Sequence, residues 1–275
     1  MTLTQWKWIS KLTVSAPTLT FWVLILLAGG CSSNSNPPAS KELAGGYRAL
    51  EQKQFDSALA ASDAYLSRTP HGSSSAEALY LRGRALTDRV AASEAESRAN
   101  LQAARVAFVQ ALNLNPRQPL DSYIRTSLAS VAYFQDDYQT AFQQWSAAYE
   151  RLNNKDLKSW VLYKIGRSLQ RLGRFDQADR TFAAVQQQYP GSPPAQLARE
   201  ARGERQFFVQ LATFNSISSA QRAADAVRRM GITPLLAANA SSQHVLRIGP
   251  YASYEQARSI RNRFAAQYPD ALINP

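Results

Sequence analysis

The residues best suited to chemistry lie in one strand-like stretch near the C-terminus, Phe207–Phe214. Alternation along a strand places Val209 and Leu211 on one face, where they can meet helices. The opposite face then carries one amide among small and aromatic side chains: Phe208, Gln210, Ala212 and Phe214. An amide offers a donor and an acceptor together, and rings offer flat apolar surfaces. This combination favours recognition of a flat polymer rather than a reaction.

A second strand-like stretch, His244–Tyr251, adds a cation and another ring. Alternation points Leu246 and Ile248 toward the helices and leaves Arg247 on the face of Gln210. Tyr251 supplies a further ring for stacking. The alternative interpretation is that the rings pack at the edge of the sheet and that Arg247 is solvated.

Two helices and two shorter strands must position these stretches. We expect Ser218 or Ser219 to cap the first helix, with Ala223, Val227 and Met230 on its inward face. The remaining expected elements are a helix over 220–230 that Gly231 ends, a strand over 232–237, a helix opened by Ser253, and a short strand at Leu272 and Ile273. The order predicts a βαββαβ domain, a four-stranded antiparallel sheet with both helices on one side.

The residues of the two long strands carry a family resemblance. The opening Phe-x-Val-Gln-Leu-x-x-Phe and the closing Val-Leu-Arg-Ile-Gly-Pro-Tyr-x-Ser-x-x-x-Ala resemble a SPOR domain. We place this domain at 206–275. The resemblance implies binding of septal peptidoglycan, with preference for glycan strands stripped of their stem peptides. It also matches Gln210 to the family's glycan-contacting glutamine, and Ala212 stands where the family commonly has Gly.

The other expected glycan contacts are inferred from alternation. Rings such as Phe208, Phe214 and Tyr251 would stack on sugar faces, and Arg247 would pair with muramic carboxylates.

Residues 41–205 have a helical pattern that repeats about every 37 residues. The clearest copy has a small residue, a second small residue, an aromatic and a helix-ending proline: Gly166, Ala178, Phe182 and Pro190. These offsets resemble a tetratricopeptide (TPR) signature. About four copies are present, the second carries an insertion near 91–99, and we expect a final helix over 196–205. The large aromatic residues are expected to be core, with ligand contact as the alternative: Trp145, Trp160, Phe182 and Tyr189.

The fold class that follows is α + α/β and multi-domain. An α-solenoid of TPR-like helix pairs precedes a βαββαβ domain like those of ferredoxins and ribonucleoproteins. Stacked repeats bury each other's apolar faces and leave a concave surface. That surface usually binds an extended peptide or a helix, so we expect an unidentified protein partner there.

The first 30 residues are typical of an export signal. Lys7 and Lys11 precede a short apolar run, and small residues lead to Cys31, the single cysteine. This arrangement resembles a bacterial lipoprotein signal, which implies lipidation of Cys31 and a flexible tether over 31–40. Ser32 after the cysteine implies the outer membrane, facing the periplasm. An ordinary secretory signal and an uncleaved anchor are the alternatives.

The net charge of +11 favours anionic partners: nucleic acid, acidic headgroups or a wall polymer. The sequence has only two histidines, and it lacks a metal-ligand cluster, a glycine-rich phosphate loop and a nucleophile elbow. We therefore expect neither an enzyme nor a cofactor.

Three functions are consistent with these patterns. The first is a lipid-anchored scaffold that binds peptidoglycan at the septum while its repeats recruit a partner in cell division or wall remodelling. The alternative is an outer-membrane assembly or envelope-integrity lipoprotein whose repeats dominate and whose SPOR domain only tethers it. A nucleic-acid binder is the third, because RNA-recognition domains share the βαββαβ order. An exported protein would be separated from nucleic acid, and the aromatic RNA-binding consensus is missing from the third strand. We therefore expect no nucleic-acid partner.

Overall fold

The computed structural model describes residues 40–239 and 241–274. The predicted signal, Cys31 and the tether up to residue 39 lie outside these residues. The described chain packs into two compact units. One comprises 40–169 with 176–202, and the other comprises 170–175 with 203–274.

Helices in consecutive pairs build the first unit, as the repeat pattern predicts. Their bounds are α1 Ala44–Glu51, α2 Phe55–Arg68, α3 Ser75–Asp88, α4 Glu94–Asn113, α5 Leu120–Phe134, α6 Tyr138–Tyr149, α7 Lys155–Arg171, α8 Phe175–Gln188 and α9 Pro193–Ala201. Small residues let the paired helices approach closely. A Cβ built on Gly166 of α7 would lie 2.5 Å from Cε1 of Phe182 on α8. Gly83 of α3 meets Phe108 of α4 in the same way. The pairing of a glycine with an aromatic ring therefore allows close packing in these two helix pairs.

Three of the four aromatic residues expected in the core of the repeats are buried there. Trp145, Phe182 and Tyr189 are buried in one cluster with Ala129 and Ala141. Trp160 is only half-buried, and its ring lies edge-on to that of Tyr163 with 6.3 Å between centroids.

The insertion in the second repeat both lengthens a helix and adds a loop. Helix α4 has 20 residues, against 12 in α6 and 14 in α8. The loop 89–93 ends at Ser93, whose Oγ accepts from the backbone N of Glu96 at 3.1 Å. The Glu96 carboxylate accepts in turn from the backbone N of Ala92 at 2.8 Å. These bonds fix where the long helix begins.

The last helix of the repeat region was predicted to span 196–205, and its observed bounds differ. Helix α9 begins at Pro193 and ends at Ala201. Ser192 caps it by accepting from the backbone N of Ala195, and the prolines that follow Ser192 are tolerated in a first turn because those N–H groups need no partner there. The prediction was wrong because it treated Pro193 as the end of the preceding turn.

The second unit is a sheet covered by two helices on one side. Its elements are β1 Phe207–Phe214, α10 Ile217–Arg229, β2 Pro234–Ala238, β3 His244–Tyr251, α11 Tyr254–Phe264 and β4 Leu272–Asn274. The strand order is β2-β3-β1-β4, and every neighbouring pair is antiparallel. The predicted βαββαβ architecture is confirmed.

The core of this unit lies between the sheet and the helices. Side chains from alternate strand positions are buried there with residues of both helices: Phe207, Val209, Leu211, Leu246, Ile248, Ala220, Ala224, Val227, Ala257 and Phe264.

The cap of α10 differs from the prediction. Ser216, not Ser218 or Ser219, accepts from the backbone N of Ser219 at 3.3 Å, so the helix begins at Ile217. The helix ends at Arg229, and Met230 is 43% exposed rather than inward. Gly231 has φ +78 and ends the helix in the left-handed conformation, as expected.

Candidate functional site

The side of the sheet away from the helices is the candidate site. Gln210 lies directly opposite Arg247 in the β1–β3 pair, and Leu235 lies opposite Arg247 in the β2–β3 pair. Residues directly opposite each other in antiparallel strands share a face. We use "open face" for the following residues: Phe208, Gln210, Thr213, Leu235, Ala237, Val245, Arg247, Leu272 and Asn274. Gln210 and Arg247 are therefore neighbours on this face, as predicted, and none of its residues is acidic.

The Gln210 amide is held from both sides. Its Nε2 donates to Oγ1 of Thr213 at 3.2 Å, and its Oε1 accepts from Nδ2 of Asn274 at 3.2 Å. Each bond is at the long end of the usual range, and the amide retains a second N–H and a second lone pair. The amide is thus oriented by β1 and β4 yet able to bond a ligand.

Arg247 is stacked and keeps an unused donor. Its guanidinium carbon lies 5.0 Å from the centroid of the Phe208 ring, within the range of a cation–π contact. Its Nε is buried and has no hydrogen-bond partner among the described residues. A buried donor without a partner carries a free-energy cost, but Arg247 as a whole is only half-buried. The stacked guanidinium therefore presents donors to an oxygen-bearing ligand.

Gly249 allows the β3 backbone to pack closely against Phe207 and Phe208 of β1. Its φ of +130 is rarely adopted by other residues. A Cβ built there would lie 3.0 Å from the carbonyl O of Phe207 and 3.0 Å from Cδ1 of Phe208. The sequence signal was a glycine inside a strand, which often marks a close backbone approach.

Phe214 does not lie on the open face, so that prediction was wrong. The β1–β3 register shifts between Gln210 and Ala212, which places Ala212 opposite Leu246 and Phe214 opposite His244. His244 is two residues before buried Leu246 on β3, so the two side chains lie on the same side of the sheet. Their partners Phe214 and Ala212 therefore both turn toward the helix side. A β-bulge of this kind reverses the alternation beyond it, and simple periodicity cannot detect it.

Tyr251 is also placed away from the open face. A second register shift puts it opposite Phe207, which is completely buried on the helix side. Burial raises the pKa of the Tyr251 hydroxyl, and nearby Arg263 on α11 partly offsets that rise. Of the three predicted rings, only Phe208 remains on the open face. Thr213 and Asn274, which hold Gln210, were missed because local sequence shows neither the register shift that brings Thr213 to this face nor the pairing of β1 with β4.

The described residues supply little for other chemistry. Over 40–239 and 241–274, no group of three or more His, Cys, Asp or Glu residues could hold a metal ion. No helix in that part of the chain is long and apolar enough to cross a membrane.

Comparison with known families finds two matches. A SPOR domain model matches residues 203–273, and a tetratricopeptide repeat model matches residues 160–192, which cover most of α7 and α8. No curated protein matches the chain at a significant level. SPOR domains bind peptidoglycan and tetratricopeptide repeats bind proteins, and both are binding rather than catalytic domains. Together, the two domains support a scaffold role in the cell envelope. The chain thus combines a tetratricopeptide repeat with a C-terminal SPOR domain whose open face presents Gln210 and Arg247.

Proposed function

We propose that the protein is a non-enzymatic envelope scaffold that binds peptidoglycan glycan strands on the open face of its SPOR domain. The observation that carries the proposal is the pairing of Gln210 with Arg247 across β1 and β3. Arg247 is stacked on Phe208 and is only half-buried.

Each of these groups matches a feature of the glycan. The Gln210 amide can bond an N-acetyl group or a hydroxyl, because both need a donor or an acceptor at close range. Phe208 presents a ring beside them that can contact the apolar face of a sugar. The guanidinium of Arg247 can pair with a carboxylate, which it binds through parallel N–H groups.

The carboxylate explains a preference for stripped strands. In intact peptidoglycan the lactyl carboxyl of muramic acid is consumed in an amide bond to the stem peptide. Removal of the peptide releases a carboxylate anion on the glycan. An open face that carries Arg247 and no acidic side chain should attract this anion more strongly than the neutral amide.

We further propose that this preference places the protein at the septum, where stripped strands would accumulate during division. The helix pairs of the first unit would recruit a protein partner in division or wall remodelling. Lipidation of Cys31 would anchor the chain to the outer membrane, facing the periplasm. The tetratricopeptide match and the helix pairs support the recruiting role.

Co-sedimentation with purified sacculi tests the glycan-binding role. Gln210→Ala removes up to two ligand hydrogen bonds, which should weaken binding about tenfold. Arg229→Gln, an exposed change on the helix side, should leave binding unchanged. Equal binding by wild type and Gln210→Ala would exclude the open face as the site.

A further inference from the structure

One edge of the sheet in the second unit is open. Strand β2 lies at the end of the strand order and pairs only with β3. The strand at the other end, β4, is partly covered, because Nη2 of Arg171 donates to the carbonyl O of Ile273 at 3.0 Å. No comparable bond reaches the outer side of β2 from the part of the chain that the structure describes. Strand β2 therefore offers a row of backbone groups to another strand.

The pairing with β3 identifies the backbone groups that point outward. The backbone N of Asn239 donates to the carbonyl O of Gln243 at 2.9 Å, and this pair continues the β2–β3 register. Bonded and non-bonded pairs alternate along antiparallel strands. The N–H and C=O groups of Leu236 and Ala238 therefore point away from β3. Pro234 has the same phase, so its missing N–H costs no bond to β3.

The side chains of β2 do little to protect this edge. Edge strands are commonly protected by charged side chains, bulges or a covering element. The segment Pro234–Ala238 is Pro-Leu-Leu-Ala-Ala and carries no charge. Leu235 is 39% exposed, and Leu236 is only half-buried although it lies opposite the fully buried Leu246. The edge thus combines unpaired backbone groups with exposed apolar side chains.

A second copy of the same strand is complementary to this edge. We consider two antiparallel β2 strands related by a twofold axis at Leu236. Leu236 then exchanges both backbone bonds with Leu236 of the second copy. The N–H of Ala238 in each copy donates to the carbonyl O of Pro234 in the other, so the proline supplies the acceptor that it retains.

The apolar side chains also match in this register. Leu235 lies beside Ala237 of the second copy, and each of the five β2 residues faces another of the five. A shift of two residues in one direction places Leu235 opposite Asn239. The opposite shift makes Pro234, which lacks an N–H, a member of both bonded pairs that flank the axis. Only the register centred on Leu236 joins the apolar residues and keeps the bonds at Leu236.

We propose that β2 pairs with β2 of a second copy of this chain in the register centred on Leu236. The twofold axis is perpendicular to the sheet, so the sheet continues across both copies and the two open faces lie on the same side. The contact involves only five residues of each strand, so it is weaker than a standard protein interface. Two linked open faces would bind one polymer more tightly than a single face. The pairing itself does not depend on the proposed glycan binding.

Disulfide trapping tests the pairing and its register. Leu235 and Ala237 of the second copy form a non-bonded pair, whose Cα atoms lie about 4.5 Å apart, within the range of a disulfide. Full-length chains carrying Cys31→Ser, which removes the only native thiol, receive either Leu235→Cys or Ala237→Cys. The two proteins are mixed under oxidising conditions. Intact mass spectrometry distinguishes the mixed dimer from either homodimer, because the two variants differ in mass.

The mixed dimer should exceed a collision baseline at least about tenfold, because pairing raises the effective concentration of the thiols. Leu235→Cys mixed with Ala266→Cys, which is exposed in the same unit outside β2, gives that baseline. Either β2 variant alone should remain at the baseline, since two copies of one position are about 7–8 Å apart and too distant for a disulfide. Adding Ala238→Pro to both variants removes an outward N–H and should lower the mixed dimer at least about threefold.

The result also separates this inference from the proposed function. A mixed dimer at the level of the Ala266→Cys baseline would overturn the pairing, and equal amounts of mixed dimer and homodimers would overturn its register. Adding Gln210→Ala should leave the mixed dimer unchanged, because no glycan is present. Full sacculus binding by Gln210→Ala would count against the proposed function and not against this pairing.

Discussion

At the scale of single residues, the open face depends on how Phe208, Gln210 and Arg247 are held in place. The Phe208 ring supports the Arg247 guanidinium, and Thr213 of β1 and Asn274 of β4 orient the Gln210 amide. Gly249 permits this arrangement because the β3 backbone there approaches Phe208. The recognition that we propose for this face therefore depends on a residue that has no side chain to contact a ligand.

Replacing Gly249 should damage both stability and binding. In Gly249→Ala the new Cβ meets Phe208 and the residue is held at φ +130, so we expect a loss of about 2–3 kcal/mol of unfolding free energy. Displacement of Phe208 should also weaken sacculus binding. Chemical denaturation and co-sedimentation measure the two effects.

Gly231→Ala is the matched control. Gly231 also has positive φ, at +78, but a Cβ there meets nothing within 4 Å. It should lose about 1 kcal/mol through backbone strain and retain binding. Equal binding losses in both variants would mean that the contact with Phe208 does not matter.

At the scale of elements, close approach between paired helices stabilises the first unit, as in α3–α4 and α7–α8. Gly166 and Phe182 show this most clearly, because the glycine leaves the space that the ring fills. The position is inside a helix, where alanine would otherwise be favoured over glycine by about 1 kcal/mol. Packing therefore outweighs helix propensity at this point.

Gly166→Ala should destabilise the protein by about 1–3 kcal/mol, as is typical of overpacked cores. Gly45→Ala should change the stability in the opposite direction. Gly45 is exposed within α1 and a Cβ there meets nothing within 4 Å, so alanine should stabilise by up to about 1 kcal/mol. Thermal unfolding of the two variants measures both changes. Stabilisation by Gly166→Ala would contradict the proposed packing.

The elements also show what the sequence can predict. The repeat spacing identified the helix pairs, and the alternation of Val209 and Leu211 identified the buried side of β1. Phe214 and Tyr251 were misplaced because register shifts depend on the partner strand, which local periodicity does not contain. The cap of α10 was misplaced because Ser216, Ser218 and Ser219 are chemically equivalent, and only backbone geometry selects Ser216.

At the scale of the whole molecule, we propose that a wall-binding domain and a partner-binding domain act from one lipid anchor. The residues of that anchor lie outside those that the structure describes. The positive n-region, the apolar run and Cys31 together predict this anchor. A lipid chain would keep both domains near a membrane while the tether provides reach.

Labelling cells with a fatty-acid analogue tests the anchor. Wild-type protein should incorporate the label and fractionate with the outer membrane, whereas Cys31→Ser should do neither, because it lacks the only thiol. Gln210→Ala is a suitable control, since it should be labelled normally. Label in Cys31→Ser would contradict lipidation at this residue.

We propose that Arg247 binds the carboxylate of stripped glycan, and the ratio of two affinities tests this role. Affinity is measured for intact sacculi and for sacculi whose stem peptides an amidase has removed. Wild type and Arg229→Gln should both prefer the stripped material by about 10- to 100-fold, the value of one charge-assisted bond. In Arg247→Gln the ratio should fall to about one, mainly through weaker binding to stripped strands. An unchanged ratio in Arg247→Gln would show that Arg247 is not responsible for the preference.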